Sequence, residues 1–363
     1  MQDPLFPDDD APSAPVAAAP AAPRNTRPGA AKVQPHPADE TTLSAARALP
    51  PGLRLGGSSW SYPGWAGKVW DREYDESRLA RHGLAAYAQH PLFRTVCLDR
   101  AFYRALSATQ YALLAAQVPD DFRFVVKAPL AVTDATVRGE NGRALQPNPL
   151  FLDPARAVAE FVEPALEGLG HKVGALVFQL SPLPLPWLSD LPGVYARLER
   201  LLRSLPPLAT RAPDGLVAVE VRDPEFLRPD FARLLKDGGA AYCLGLQAKM
   251  PSIGRQLPML RAMWPGPLVC RWNLNPVNGA YGYDAAEKRY APFDRLVDPD
   301  PDTRDVLAQV IAGTTAAGYP AYVTISNQAE GCAPLSALAL GFAVRDRLDA
   351  ASPRRPEPSH DAG

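Results

Sequence analysis

The feature that most constrains the fold of this chain is a repeated alternation of short apolar runs with longer amphipathic stretches. Several of the apolar runs are hydrophobic almost throughout, as expected of parallel strands that are covered on both faces. Eight runs are therefore predicted to be strands: Leu53–Ser59, Arg94–Leu98, Arg123–Lys127, Val173–Gln179, Leu216–Arg222, Ala240–Leu244, Pro267–Trp272 and Ala321–Asn327.

The segments between these strands have helical periodicity, as in TRDVLAQVIAGTTAAG and PLSALALGFAVRDRL. Repeated strand–helix alternation requires parallel crossover connections. Roughly eight such units in about 300 residues favour a closed TIM-like (β/α) barrel, with parallel strands inside and helices outside. The alternative is an open, doubly wound sheet. No G-x-G-x-x-G or P-loop motif follows any predicted strand, which argues against the nucleotide-binding forms of that fold.

The two ends of the chain differ in composition from the rest. Residues 1–47 are rich in Ala and Pro, and residues 349–363 are similar. Such segments bury too little apolar surface to offset the entropy lost on ordering, so both are predicted to be disordered tails. Residues 48–348 are predicted to form a single barrel domain.

The charge and cysteine content indicate which binding partners and which cellular compartment to expect for the protein. With 38 basic against 39 acidic residues, no overall field attracts nucleic acid or an anionic membrane, and any basic site must be local. The four cysteines are far apart, without C-x-x-C spacing, which is typical of reduced thiols. The N-terminal residues have no apolar signal segment, and no run is long enough to span a membrane. We therefore expect a cytoplasmic protein without membrane contact; the sequence does not indicate its oligomeric state.

Candidate site residues lie where predicted strands end, because the functional groups of such barrels gather at the C-terminal ends of the strands and in the loops that follow. These positions hold polar and aromatic side chains: Ser59, Trp60, Tyr62, Asp99, Tyr103, Lys127, Gln179, Glu220, Arg222, Arg271 and Asn327.

Glu220 and Arg222 are two residues apart on one predicted strand, so their side chains point to the same face. If that face is the barrel interior, both charges need partners, because an unpaired buried charge costs several kcal/mol. One interpretation is a structural ion pair. The other is a catalytic carboxylate, acting as general acid or base, beside a guanidinium that binds an anion.

Lys127 and Arg271 end similarly apolar runs, and with Arg222 they would bring three positive charges to one mouth of the barrel. Such a mouth suits a small polar or anionic ligand, for example a sugar phosphate or a carboxylate. For Lys127, we favour anion binding with charge stabilisation over extension into solvent, and both over Schiff-base chemistry. The structural alternative is that each cation pairs with a local acid, such as Asp99 or Glu220.

The remaining candidates are assigned to substrate binding, and no metal or cofactor site is predicted. Four aromatic residues, Trp60, Tyr62, Trp65 and Tyr103, could stack on a ligand, but at least half of them are expected to pack under the loop instead. The five histidines do not gather at strand ends, so a His-rich zinc site is not expected, and magnesium has no recognisable set of carboxylate ligands. Asp99, Tyr103, Gln179 and Asn327 would orient the substrate, and Ser59, Trp60 and Tyr62 would contact it.

Five segments occur in a characteristic order: GGSSWSYPGW, FVVKAPLAVT, GALVFQLSP, VAVEVRDPEF and YVTISNQAEGCAP. They resemble the characteristic blocks of the YecE-like family, also called domain of unknown function 72, over about Leu53 to Leu348. The resemblance implies a TIM-like barrel whose activity is not established.

The chain departs from the pattern of that family at several polar positions. Cys97-Leu98-Asp99 replaces a usual Glu-x-Asn, Asp134 and Trp272-Asn273 replace a histidine and a His-Gly pair, and Asp223 and Phe226 replace His and Trp. Three interpretations therefore stay open. The protein is an enzyme that acts by acid/base chemistry, a nucleic-acid or nucleotide-binding protein with a stacking aromatic loop, or a barrel that serves only as a scaffold. Balanced net charge disfavours the second.

Overall fold

The strands form a closed barrel in the structure, a computed structural model that describes residues 32–139, 144–247, 249–279 and 282–351. The strands are β1 (Leu53–Gly57), β2 (Phe93–Leu98), β3 (Arg123–Lys127), β4 (Thr136–Arg138), β5 (Ala144–Pro147), β6 (Val173–Gln179), β7 (Leu216–Glu220), β8 (Ala240–Leu246), β9 (Leu268–Trp272) and β10 (Ala321–Ile325). The barrel order is β1-β10-β9-β8-β7-β6-β3-β2, all parallel, and β4 and β5 form a separate antiparallel hairpin. The predicted fold is confirmed, and each of the eight predicted strands is a barrel strand.

Helices connect the barrel strands. They are α1 (Glu40–Ala48), α2 (Glu76–His82), α3 (Leu84–Tyr87), α4 (Arg100–Tyr103), α5 (Ala108–Ala115), α6 (Leu130–Thr133), α7 (Pro154–Ala157), α8 (Glu163–Leu169), α9 (Leu185–Leu188), α10 (Leu191–Ser204), α11 (Pro229–Asp237), α12 (Ile253–Met263), α13 (Tyr283–Tyr290), α14 (Pro301–Ala316) and α15 (Ala333–Ala351). Short 3-10 turns cover Pro63–Trp65, Gly170–Lys172, Pro224–Phe226, Pro276–Asn278 and Asn327–Ala329, and a π-helical turn covers Val158–Val162. Within the described ranges, no helix combines the length and hydropathy that a membrane span needs.

Local sequence explains where several helices begin. The Asp300 side chain accepts a hydrogen bond from the backbone N–H of Thr303 at the start of α14, at 3.0 Å. Ser107 and Gln110 form a reciprocal capping box at the start of α5. Such caps satisfy backbone N–H groups that have no partner within the helix.

The barrel interior below the mouth is filled by side chains. Every residue of β6 and β8 is buried, as expected of strands with the interior on one face and helices on the other. The packed cluster inside consists mostly of small and medium-sized side chains: Cys97, Val125, Ala175, Val177, Ala218, Ala241, Cys243, Val269 and Tyr322. The polar groups at the C-terminal ends of the strands therefore sit on a closed apolar floor.

The predicted disordered tails include residues that are folded in the structure. Residues 40–48 form α1, where Ala45 is buried, and the backbone N–H of His36 donates to Val69 O at 2.8 Å. The composition argument failed here for two reasons. Alanine offers little apolar surface, but it is the strongest helix former. In addition, α1 packs against α15, which stabilises it. At the other end α15 runs to residue 351, beyond the predicted limit at 348. Residues 1–31 and 352–363 lie outside the described ranges.

Candidate functional site

Six of the predicted site residues meet at the C-terminal mouth of the barrel, and we call them the mouth cluster. Parallel strands place all their carboxyl ends on one face, so residues distant in sequence meet there. Three members end strands β3, β6 and β7, one lies next to the end of β9, and two lie just beyond β2 and β7. The members are Asp99, Lys127, Gln179, Glu220, Arg222 and Arg271.

Arg271 is the centre of the mouth cluster and is 2% exposed. Its Nη1 donates to Glu220 Oε2 at 2.5 Å and to Gln179 Oε1 at 2.9 Å. Its Nη2 donates to Asp99 Oδ1 at 2.8 Å and to Oδ2 at 3.1 Å. Two of these partners end β7 and β6 and the third follows β2, and none of these strands neighbours β9, so the guanidinium lies across the barrel. The hydrogen bonds of Arg271 therefore link residues on opposite sides of the mouth.

Arg222 adds a second guanidinium to the same carboxylate. Its Nη2 donates to Gln179 Oε1 at 2.7 Å and lies 2.7 Å from Glu220 Oε1. The Gln179 contact is a hydrogen bond, whereas the contact with Glu220 is an ion pair without hydrogen-bond geometry. Glu220 is completely buried, while the Arg222 side chain is 17% exposed. Arg222 thus connects the buried part of the cluster to the open mouth.

Lys127 is more weakly paired than the two arginines. Its Nζ is 3.8 Å from Asp99 Oδ1, beyond hydrogen-bond distance, and 3.9 Å from the centre of the Phe102 ring. Asp99 in turn accepts a hydrogen bond from Cys97 Sγ at 3.0 Å and from Arg271. The Asp99 side chain is 34% exposed and that of Lys127 is 8% exposed. Asp99 is therefore the accessible carboxylate of the cluster.

The electrostatics of the mouth cluster follow from burial and from these pairs. Burial acts to raise the pKa of Glu220, but Arg222 and Arg271 outweigh it, so the pKa is lowered and the group is an ionised carboxylate. The pKa of Asp99 is lowered in the same way, against its burial, by Arg271 and Lys127. Burial lowers the pKa of Lys127. Three cations thus face two carboxylates, an excess of one positive charge.

The predicted pairing of each cation with a local acid is also present. Arg222 and Arg271 contact Glu220, and Lys127 and Arg271 contact Asp99. The Nε atoms of both arginines are buried without a hydrogen-bond partner. An unpaired buried donor is costly, so the cluster is not fully satisfied by its own members.

The other predicted site residues lie outside the mouth cluster. Trp60 is 1% exposed, and its Nε1 donates to Leu79 O at 3.1 Å, so it packs in the core instead of facing a ligand. Tyr103 is 81% exposed on α4, with its ring edge against Phe102. Ser59 is partly exposed in the loop after β1.

Asn327 is completely buried in the turn after β10. Its Oδ1 accepts hydrogen bonds from Trp65 Nε1 at 3.1 Å and from the backbone N–H of Ala333 at 2.8 Å. The amide oxygen thus satisfies the first residue of α15 and a buried indole. Of the four aromatic residues expected to divide between packing and binding, Trp60 and Trp65 are core residues.

A second polar group lies at the mouth, and sequence reasoning did not group its members: Ser58, Tyr62 and Ser326 are recognisable as polar residues after strands, whereas Tyr283 was missed. We call it the hydroxyl cluster, and it consists of Ser58, Tyr62, Tyr283 and Ser326, in which Tyr62 contacts Ser58 and Tyr283 contacts Ser326. Ser58 follows β1 and Ser326 follows β10, and these two strands are neighbours. Tyr283 begins α13, in the connection after β9. The glycine- and tyrosine-rich segment GAYGYD in that connection was the available signal.

Gln328 and Glu287 support the hydroxyl cluster. Tyr283 Oη is 3.4 Å from Gln328 Oε1, which also accepts from the Ser326 hydroxyl. Gln328 Nε2 donates to the Glu287 carboxylate. Tyr62 is held by ring contacts with Trp65, at 4.8 Å between centroids. This side of the mouth is therefore rich in neutral hydroxyls, with one carboxylate beyond them.

Two of the departures from the family pattern have structural roles. Asp134 is 1% exposed at the base of the β4–β5 hairpin, where it accepts from Arg138 Nε at 2.6 Å and from the backbone N–H of Thr136 at 2.8 Å. Asp223 accepts from the backbone N–H of Leu183 at 2.9 Å. In the parts of the chain that the structure describes, no group of three or more His, Cys, Asp and Glu side chains is arranged to hold a metal ion.

Fold and site together define a TIM-like barrel with a largely buried ion cluster across its C-terminal mouth. The family described as "Protein of unknown function DUF72", the same family as YecE-like, matches residues 54–360, and the chain belongs to this family. No curated protein matches the chain significantly.

Solved structures of the same family share the fold. The DUF72 family protein of Thermotoga maritima MSB8 is 21% identical, with 80% of this chain and 98% of that chain covered and a TM-score of 0.53. The DUF72 family protein of Enterococcus faecalis V583 is 18% identical, with 84% and 99% covered and a TM-score of 0.51. A D-tagatose 3-epimerase-like protein, 13% identical, covers 72% of this chain and 91% of its own, but its TM-score of 0.45 supports no argument. At these identities the likeness concerns the fold alone.

Proposed function

We propose that the mouth of the barrel binds a small anionic ligand and carries out acid/base chemistry on it. The observation that supports this most is the excess of positive charge, three cations against two carboxylates, at a position that is partly exposed. An anion beside Lys127 and Arg222 would balance that charge. It would also supply Lys127 with a closer partner than Asp99 Oδ1 at 3.8 Å.

Glu220 is a positioning residue in this proposal and does not contact the ligand. It is completely buried and held by Arg271 and Arg222. Its lowered pKa keeps it ionised, so it has no proton to donate at neutral pH. Its role is to fix both guanidinium groups, which would otherwise repel each other.

Asp99 and Lys127 form the proton-transfer pair. Asp99 is an ionised and accessible carboxylate and can accept a proton, although Arg271 and Lys127 lower its pKa and so make it a weaker base than an ordinary aspartate. The buried ammonium of Lys127 has a lowered pKa, so it gives up its proton more readily than a lysine in water and can act as the general acid. The ligand therefore lies beside these two side chains, which are 3.8 Å apart, with Arg222 on its anionic group.

Burial of the aromatic residues favours a small ligand over nucleic acid. Single strands bind on exposed aromatic faces beside a basic groove. Trp60 and Trp65, in the loop that would stack bases, are 1% and 0% exposed.

The test is calorimetric titration with inorganic phosphate, sulfate and small carboxylates. We expect at least one of them to bind, and Arg222→Met to weaken that binding about tenfold or more, as for loss of a hydrogen bond to a charged group. The control is Arg203→Met, which removes an exposed surface cation far from the mouth and should leave the affinity unchanged. Absence of binding by every anion, or binding that survives Arg222→Met, would overturn the proposal and favour the scaffold interpretation.

A further inference from the structure

The two halves of the mouth differ in chemistry. The mouth cluster takes its charged residues from β2, β3, β7 and β9 and its one neutral residue, Gln179, from β6, whereas the hydroxyl cluster lies at β1, β10 and the connection after β9. Asp99 follows β2, and Ser58 follows the neighbouring strand β1, so the two clusters are adjacent. One ligand can therefore contact both.

Tyr283 has the most accessible hydroxyl-bearing side chain of the hydroxyl cluster. Tyr283 is 48% exposed, while its hydroxyl lies near Gln328, which is 2% exposed. The hydroxyl end thus points into the mouth. Its contact with Gln328 Oε1 is long, at 3.4 Å, and that oxygen already accepts from Ser326. Tyr283 also has a side-chain hydrogen bond with Ser326, but a phenol oxygen can both donate and accept, so it keeps hydrogen-bonding capacity for a ligand.

Hydroxyl groups select for hydroxylated ligands because each can donate and accept a hydrogen bond at the same time. The hydroxyl cluster supplies two phenols and two serines, with no cation among them. Glu287, bound to Gln328 at the outer side, disfavours an anionic group in this half. The charge pattern thus sets an orientation, with the anion at Lys127 and Arg222 and the neutral part of the ligand at Tyr283.

We propose that the ligand is a small polyhydroxylated molecule with one anionic group, which is the shared chemistry of sugar phosphates and sugar acids. Its anionic group lies on the mouth cluster, and its hydroxyl groups lie on the hydroxyl cluster around Tyr283 and Ser326. This inference rests on the proposed function, because it needs an anion at the mouth cluster.

The test compares one set of ligands on three proteins by calorimetric titration. The ligands are inorganic phosphate, neutral hexoses, and a panel of hexose and pentose phosphates with the matching sugar acids. The proteins are the wild type, Tyr283→Phe, and Tyr319→Phe as a matched control. Tyr319 lies before β10, at the opposite end of the barrel.

We expect at least one sugar phosphate or sugar acid to bind tenfold or more tightly than inorganic phosphate. Tyr283→Phe should weaken binding of that sugar derivative about threefold to tenfold, which is the effect of losing one hydrogen bond. The affinity for inorganic phosphate should stay unchanged. Tyr319→Phe should change neither. Which of the two ligand types binds more tightly identifies the anionic group.

The two proposals fail in different ways. Suppose that phosphate binds, but no sugar derivative binds at least threefold more tightly, or the tighter binding is unchanged in Tyr283→Phe. The polyhydroxylated ligand is then excluded, while the anion site is retained. If no anion and no sugar derivative binds, the anion site itself is excluded, and this inference with it. A neutral hexose that binds as tightly as its phosphate also overturns the inference.

Discussion

Arg271 and Glu220 form a buried hydrogen bond of 2.5 Å between strands that are not neighbours, since β8 separates β9 from β7. The two side chains thus meet inside the barrel and do not belong to adjacent strands. Both side chains are almost completely excluded from water, at 2% and 0% exposure. We therefore expect pairing at this position to affect both the stability and the electrostatics of the mouth.

Removal of Arg271 should be strongly destabilising. In Arg271→Met, Glu220 remains buried with only the Arg222 contact, and Asp99 loses two hydrogen bonds. We expect the free energy of unfolding in urea to fall by about 3–5 kcal/mol, the usual result of breaking a buried ion pair from one side. Arg203→Met, at an exposed pair, should cost less than about 1 kcal/mol. A loss below 1 kcal/mol in Arg271→Met would contradict the buried-pair interpretation.

Glu220 should make the protein sensitive to acid. Its pKa in the folded state is lowered below the ordinary value of 4.5 because the arginines outweigh the effect of burial. Its contribution to stability is therefore complete above pH 4.5 and is lost as the pH falls through the folded-state pKa. Urea unfolding between about pH 3 and 7 should show a steeper loss in the wild type than in Glu220→Gln. If the free energy of unfolding depends on pH in the same way in the wild type and in Glu220→Gln, the lowered pKa of Glu220 does not contribute to stability. Some slope should persist in the variant, because the pKa of Asp99 is lowered too.

Lys127 should contribute to binding and not to stability. Burial disfavours its charged form, and its contact with Asp99 is long. Lys127→Met keeps a similar side-chain volume, so the free energy of unfolding should stay within about 1 kcal/mol of the wild type or rise. The affinity for sulfate should nevertheless fall about tenfold or more. A structural lysine would give the reverse pattern, a stability loss above 2 kcal/mol with unchanged affinity.

Anion binding should depend on the ionisation of Lys127. Its pKa is lowered from 10.5 because the amine is buried, so binding should weaken as the pH rises through that lowered value. Sulfate is the suitable probe, since its own charge is constant in this range. Titration between about pH 7 and 10 should show the loss in the wild type, while Lys127→Arg, which stays charged, should bind sulfate over the whole range. Equal profiles for both proteins would exclude Lys127 as the anion-binding cation.

Asn327 should be important for folding. In Asn327→Ala the buried Trp65 Nε1 and the backbone N–H of Ala333 both lose their acceptor. We expect a loss of about 2–4 kcal/mol in the free energy of unfolding, measured in urea. Asn278→Ala, which removes a hydrogen bond to Tyr290 in a partly exposed turn, should cost less than half as much. Similar losses in the two variants would assign Asn327 no special structural role.

The sequence by itself determined the barrel and the position of its mouth. Apolar runs long enough for strands alternate with helical segments, and parallel strands must place all their carboxyl ends on one face. Lys127, Gln179, Glu220 and Arg271 could therefore be assigned to that face from their positions at strand ends. These inferences are local, because each depends on the residue pattern within one strand and its neighbouring loop.

Only the tertiary structure decided which of these side chains touch. Arg271 reaches partners at the ends of β7 and β6 and just after β2 because the barrel closes, and closure fixes distances that no sequence separation encodes. Tyr283 comes to the mouth from a helix, and α1 is held by packing against α15; neither follows from strand periodicity. Composition and spacing describe a chain along its length, whereas pairing and burial depend on contacts between segments that are remote along it.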